Sequence, residues 1–158
     1  LVSMLIISQQ LLDEIFAYCH QGYPHEACGF VLGSVKEGRR CAQVIRNCSN
    51  IQNKLHAQDP KRYTRDAKTA YSIDPKEMQE AEELAKKKGH EILSIYHSHP
   101  EHGVYFSDED KGMAAPWGEP LFPQLSYIVV SVYNGRVKEA SEFLWNSDQK
   151  NFIEKKIL

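Results

Sequence analysis

The chain has 158 residues, 42% of them apolar and 25% charged; that length suits one domain with a real core, and the composition excludes wholesale disorder. A formal net charge of -2 carries no signal for nucleic acid or an anionic membrane surface, so neither is expected as a partner. Four widely spaced cysteines, Cys19, Cys28, Cys41 and Cys48, form no C-x-x-C pair and read as reduced thiols of a cytoplasmic protein.

The opening LVSMLII has neither the basic region nor the cleavage site of a signal peptide. It is also far shorter than the roughly 20 residues of a membrane span, so it is expected as an edge strand. Ser8 is placed to N-cap a helix whose stripe is Leu11, Leu12, Ile15, Phe16 and Cys19, ended by Gly22 and Pro24. Residues 27–35 and 41–47 read as two strands joined through the KEGR turn. Residues 48–70 are polar and aperiodic, the longest irregular connection in the chain.

YSID reads as a short strand, and Asp74, Pro75 and Glu77 as a helix start with a capping box. That helix buries Met78, Ala81, Leu84 and Ala85 and stops at Gly89. EILSIYH, residues 91–97, and LSYIVVSVY, residues 125–133, are strands by their β-branched and aromatic content. Asn134-Gly135 turns the chain into the returning strand VKEASEFLW, and residues 146–158 suit either a strand or a helix. The sum is one α/β domain over residues 1–158, a mixed β-sheet flanked by helices.

The chemistry concentrates in HSHPEHGVYFSDED. Side chains two apart on a strand share a face, so His97 and His99 form a two-nitrogen site, and a catalytic zinc wants a third protein ligand. Asp110 is the candidate. Ser107 to Asp110 is equally an S-x-x-[DE] helix start, in which Asp110 folds back onto backbone N–H groups, but a cap leaves the two histidines unexplained. Other motifs fail: His25-Glu26 is followed by Gly29 where H-E-x-x-H needs histidine, no P-C-x-x-C element of a deaminase is present, and no G-x-S-x-G occurs. A metallo-β-lactamase pattern needs further histidines downstream, and none follows His102.

His97-Ser98-His99-Pro100, six residues, Ser107, two residues and Asp110 resembles the H-[ST]-H-P-x6-S-x2-D signature of the JAMM metalloproteases, or MPN-plus domains. The likeness spans nearly the whole chain and implies an MPN-type sheet of the cytidine-deaminase-like architecture. It implies that His97, His99 and Asp110 hold one Zn2+ per chain. Glu26, in YPHEACGFVLG, would be the upstream glutamate that moves protons between water and the leaving amine, and Ser107 the donor to the oxyanion. Asp13, Glu14 and Glu37 are the other early carboxylates from which Glu26 is chosen.

Cys28 reads as a small core residue, His102 as a bystander, and Tyr96 and Tyr105 as flanking residues that line the site or pack beside it. The resemblance further implies hydrolysis of the amide bond after the C-terminal Gly-Gly tail of a ubiquitin-like or sulfur-carrier protein. Residues 48–70 and 114–124 would wall the groove that takes the tail. No His or Cys follows Asp110, so nothing supports the second zinc of linkage-selective relatives. A non-catalytic MPN binding module and a general small-peptide amidase are the alternatives.

Overall fold

The computed structural model describes residues 2–158. Ser8 accepts from Leu11 N–H and starts α1 (Gln9–Gly22), which buries Leu12, Ile15 and Cys19. A hairpin follows, β1 (Cys28–Lys36) and β2 (Arg39–Cys48), closed by Glu37 and Gly38, both at positive φ as a two-residue turn between twisted strands requires. Then come α2 (Gln52–Gln58), α3 (Pro75–Lys88), β3 (Glu91–Pro100), α4 (Asp108–Ala114), β4 (Ser126–Tyr133), β5 (Arg136–Asn146) and β6 (Asn151–Lys156). The strands form one sheet in the order β2-β1-β3-β4-β5-β6, in which, among the described residues, β3 and β4 are the one parallel pair of strands. This is the mixed α/β sheet expected.

The central strands carry apolar side chains on both faces. Val31, Tyr96, Ile128, Val130 and Val132 pack with Ile15 and Cys19 of α1. Cys28, Phe30 and Leu32 alternate to the other face and meet Ala81 and Ala85 of α3. Cys28 pairs with His97 and His97 with Val129, so the histidines share this second face, and Phe106, Tyr127, Phe143 and Phe152 extend its core.

Several expectations are corrected. The opening segment is not an edge strand: Ile6 makes one isolated parallel bridge to Cys41, and Leu1 lies outside the described residues. The segment is held by side chains, because Glu142 accepts from Leu5 N–H at 2.9 Å and Arg40 donates to the Ser3 carbonyl at 2.7 Å. Residues 48–70 contain α2, too short to show a helical period in the sequence. YSID gives one bridge, Asn50 to Ile73. Asp74 caps α3 by accepting from Lys76 N–H, but Glu77 closes no capping box; its carboxylate accepts from Ser49 N–H at 2.9 Å instead. The strand expected at 91–97 runs on through Pro100, since β1 stops opposite His97 and the missing proline N–H faces no partner strand. The C-terminal segment resolves as β6.

Candidate functional site

β3 delivers His97 and His99 to one face at the carboxyl end of the strand, and α4 brings Asp110 to them. The two Nε2 atoms stand 3.2 Å apart. Asp110 Oδ2 lies 3.3 Å from the first and 3.6 Å from the second. His99 is fixed by its other nitrogen, Nδ1, against the Gly103 carbonyl at 3.1 Å, so its Nε2 turns a lone pair toward the cluster. His97 is fully buried, with its ring stacked on Tyr71 at 4.5 Å between centroids and its Nδ1 left without a partner among the described residues. His97 Nε2, His99 Nε2 and Asp110 Oδ2 thus converge on one place, within 4.8 Å of one another. The three side chains therefore form a group that can bind a metal ion.

Cap and candidate ligand, opposed in the sequence, fall on the same carboxylate. Ser107 Oγ accepts from Asp110 N–H at 3.0 Å while Asp110 Oδ2 accepts from Ser107 N–H at 3.1 Å, a complete capping box. Asp110 Oδ2 is the oxygen that faces both histidines. The cap thus fixes the rotamer of the third donor.

The family described as prokaryotic homologs of the JAB domain matches residues 8–147 of this chain. The chain belongs to that family. The JAB domain is also similar to two solved structures. One is the solution structure of a protein from Desulfitobacterium hafniense, at 25% identity and a TM-score of 0.74, covering 98% of this chain and 92% of that one. The other is a solution structure of a protein from Salinibacter ruber, at 26% identity and a TM-score of 0.66, covering 97% and 90%. Among curated proteins nothing matches.

A cavity of about 370 Å³ opens on the cluster of this JAB domain, and Glu26, His99, Ser107 and Asp110 all line it. Glu26 precedes β1 and is placed by backbone contacts on both sides: its N–H donates to the Ala67 carbonyl at 2.7 Å, and its carbonyl accepts from Asn50 Nδ2 at 2.9 Å. The next residue, Ala27, donates its N–H to Ser98 Oγ at 2.8 Å. The hydroxyl residue between the histidines therefore ties the Glu26 segment to β3 from the opposite face of the strand. Asp13, Glu14 and Glu37 are exposed and line no part of the cavity.

Burial, and then the Asp110 and Glu109 carboxylates, push the Glu26 carboxyl up to about 9, with Arg65 acting in the opposite sense. Desolvation lowers the His97 pKa and keeps that imidazole neutral. Burial works against the charge of Asp110 as well, yet the hydrogen bonds around it, from His97 first, hold its carboxyl below the usual carboxylate range.

Tyr105 lines the cavity with its ring 4.8 Å from His99, whereas Tyr96 faces the α1 side and donates to Asn47 Oδ1. His102 lines the cavity without joining the cluster. Cys28 is a buried free thiol in the core, as read. Residues 48–70 do form a wall, through Arg65, Thr69 and Ala70. Residues 114–124 stay out of this cavity and border its neighbour, where Leu121 and Phe122 approach Tyr71 and Asp110. Tyr71 and Arg65 were not recognised as site residues from sequence, because they come from an aperiodic stretch with no motif of its own.

Proposed function

We propose that this JAB domain is a zinc-dependent metallopeptidase that hydrolyses the amide bond after the C-terminal Gly-Gly tail of a ubiquitin-like or sulfur-carrier protein. The observation that carries the reading is the convergence of two histidine nitrogens and the Asp110 carboxylate beside a cavity that Glu26 and Ser107 also line. Two nitrogens and one oxygen make up a donor set that catalytic zinc uses, with its fourth position taken by water. Zinc held by His97, His99 and Asp110 would supply positive charge and Lewis acidity to water and a substrate carbonyl, and would draw down the pKa of Glu26.

The chain's own groups account for the remaining steps. Glu26 takes a proton from the attacking water and returns it to the leaving amine, a role that needs its carboxyl ionised, so that the charge of a bound cation has to offset the burial that raises it. Ser107 Oγ accepts from Asp110 N–H, which leaves its own O–H free to donate to the carbonyl oxygen as that oxygen becomes negative. The walls from residues 65–71 exclude water from one side of the reacting bond.

Elemental analysis of the purified protein, wild type beside Asp110→Ala and Glu26→Gln, tests the reading together with release of the amine from a tail-fused protein. About one zinc per wild-type chain is expected, lost in Asp110→Ala. Glu26→Gln should keep the metal and lose activity by roughly a hundredfold or more. A wild type that takes up no zinc on reconstitution would move the assignment to a non-catalytic binding module.

A further inference from the structure

Among the described residues, Arg65 is the one lysine or arginine that lines the cavity. It sits within the segment that the sequence leaves featureless, yet its backbone is held firmly: the Arg65 carbonyl accepts from Gln52 Nε2 at 2.9 Å, and Gln52 is buried in α2. Two residues on, Ala67 N–H donates to Asn53 Oδ1 at 2.8 Å, and the Ala67 carbonyl receives the N–H of Glu26. The stitched segment thus places Arg65 on the Glu26 side of the cavity. Its guanidinium meets Glu109 through Nε, at 2.8 Å to Oε1, and the two terminal nitrogens form no ion pair among the described residues. Those nitrogens are the fork that binds a carboxylate with two parallel hydrogen bonds.

If Glu26 returns the proton to the leaving amine, the amine side of the scissile bond lies toward Glu26 and so toward Arg65. This step rests on the hydrolase reading above. We propose that Arg65 is a specificity-determining residue that binds the free α-carboxylate of the released amine, so that the leaving group is a C-terminal amino acid and not the side chain of a protein lysine. A lysine side-chain amine within a polypeptide brings no carboxylate to this place and would leave the guanidinium unmatched. Glu109 holds the guanidinium through Nε and competes with an incoming carboxylate for it.

Binding and cleavage are read separately on one pair of probes, a fluorescein-labelled peptide ending in Gly-Gly-Ala with a free carboxylate and the same peptide as its C-terminal amide. By fluorescence anisotropy on the wild-type protein, the acid should bind about tenfold or more tighter than the amide, as a charge-assisted bidentate contact requires. In Arg65→Gln that ratio should fall close to one, and in Glu109→Gln it should rise, a gain that a merely structural role for Arg65 does not produce. Equal binding of the two probes by the wild type, or a ratio unchanged in Arg65→Gln, overturns the proposal. Alanine release in the same samples, followed by mass spectrometry, reports on the hydrolase reading: a carboxylate preference in binding with no alanine released sinks that reading and leaves the Arg65 contact standing.

Discussion

At Glu26 the same burial that suits a proton carrier costs stability when no cation is near. Its carboxyl has an ordinary value of 4.5 and stands at about 9 in the folded chain. The folded state therefore binds this proton more tightly than the unfolded one. Stability from the neutral carboxyl is fully present below about 4.5 and is lost as pH rises through the window toward 9. Glutamine mimics the neutral form at every pH. In chelator, Glu26→Gln should match the wild type closely near pH 4 and exceed it by on the order of 3 kcal/mol at pH 7 in urea unfolding. A wild type whose stability is flat over that range would show that Glu26 is solvated. Asp110 behaves oppositely, its hydrogen bonds keeping it charged although it is largely buried.

Among the elements, α4 is only seven residues long and depends on its cap, which is why its start and the third donor are inseparable in the wild type. Asp110→Asn separates them. The asparagine oxygen still accepts from Ser107 N–H and keeps the cap, while Ser107→Ala removes the N-cap at a cost of about 1 kcal/mol. Metal affinity should follow the other order, falling further in Asp110→Asn because a neutral amide replaces a charged ligand. Thermal unfolding in chelator and zinc titration read the two effects independently. Equal loss of affinity in both variants would mean that the cap does no more than hold the helix. β3 shows a similar double use, with His97 and His99 on one face and Ser98 on the other, clasping Ala27. The H-x-H spacing announced the first face, whereas the partner of the serine lies 71 residues away in sequence.

Across the whole molecule, the buried pair Arg40–Glu142 at 3.0 Å joins the β2 and β5 sides of the domain beneath the opening segment. Arg40 also donates to Ser126 Oγ at 2.9 Å, and Glu142 receives Leu5 N–H. Arg40→Met strands a buried carboxylate and should destabilise by about 3–5 kcal/mol, whereas Arg40→Met with Glu142→Leu should recover much of that loss. Urea unfolding of the three proteins decides this; a double variant no better than the single one would place the cost in the lost Ser3 and Leu5 contacts. Neither residue stood out in the sequence, since an arginine and a glutamate 102 positions apart carry no local sign of pairing. Short-range physics alone accounts for the α1 and α3 helices through caps and stripes, for two of the hairpin turns through Glu37-Gly38 and Asn134-Gly135, and for the histidine pair through the two-residue period of a strand. The choice of Glu26 over other early carboxylates rested in the sequence on resemblance. Long-range packing decides which carboxylate lines the cavity, that Glu77 serves Ser49 instead of its own helix, that Tyr71 stacks on His97, and that Arg65 lines the same cavity as Glu26. Each of these is set by contacts between segments far apart along the chain, whose energies depend on burial and distance that no local pattern of residues encodes.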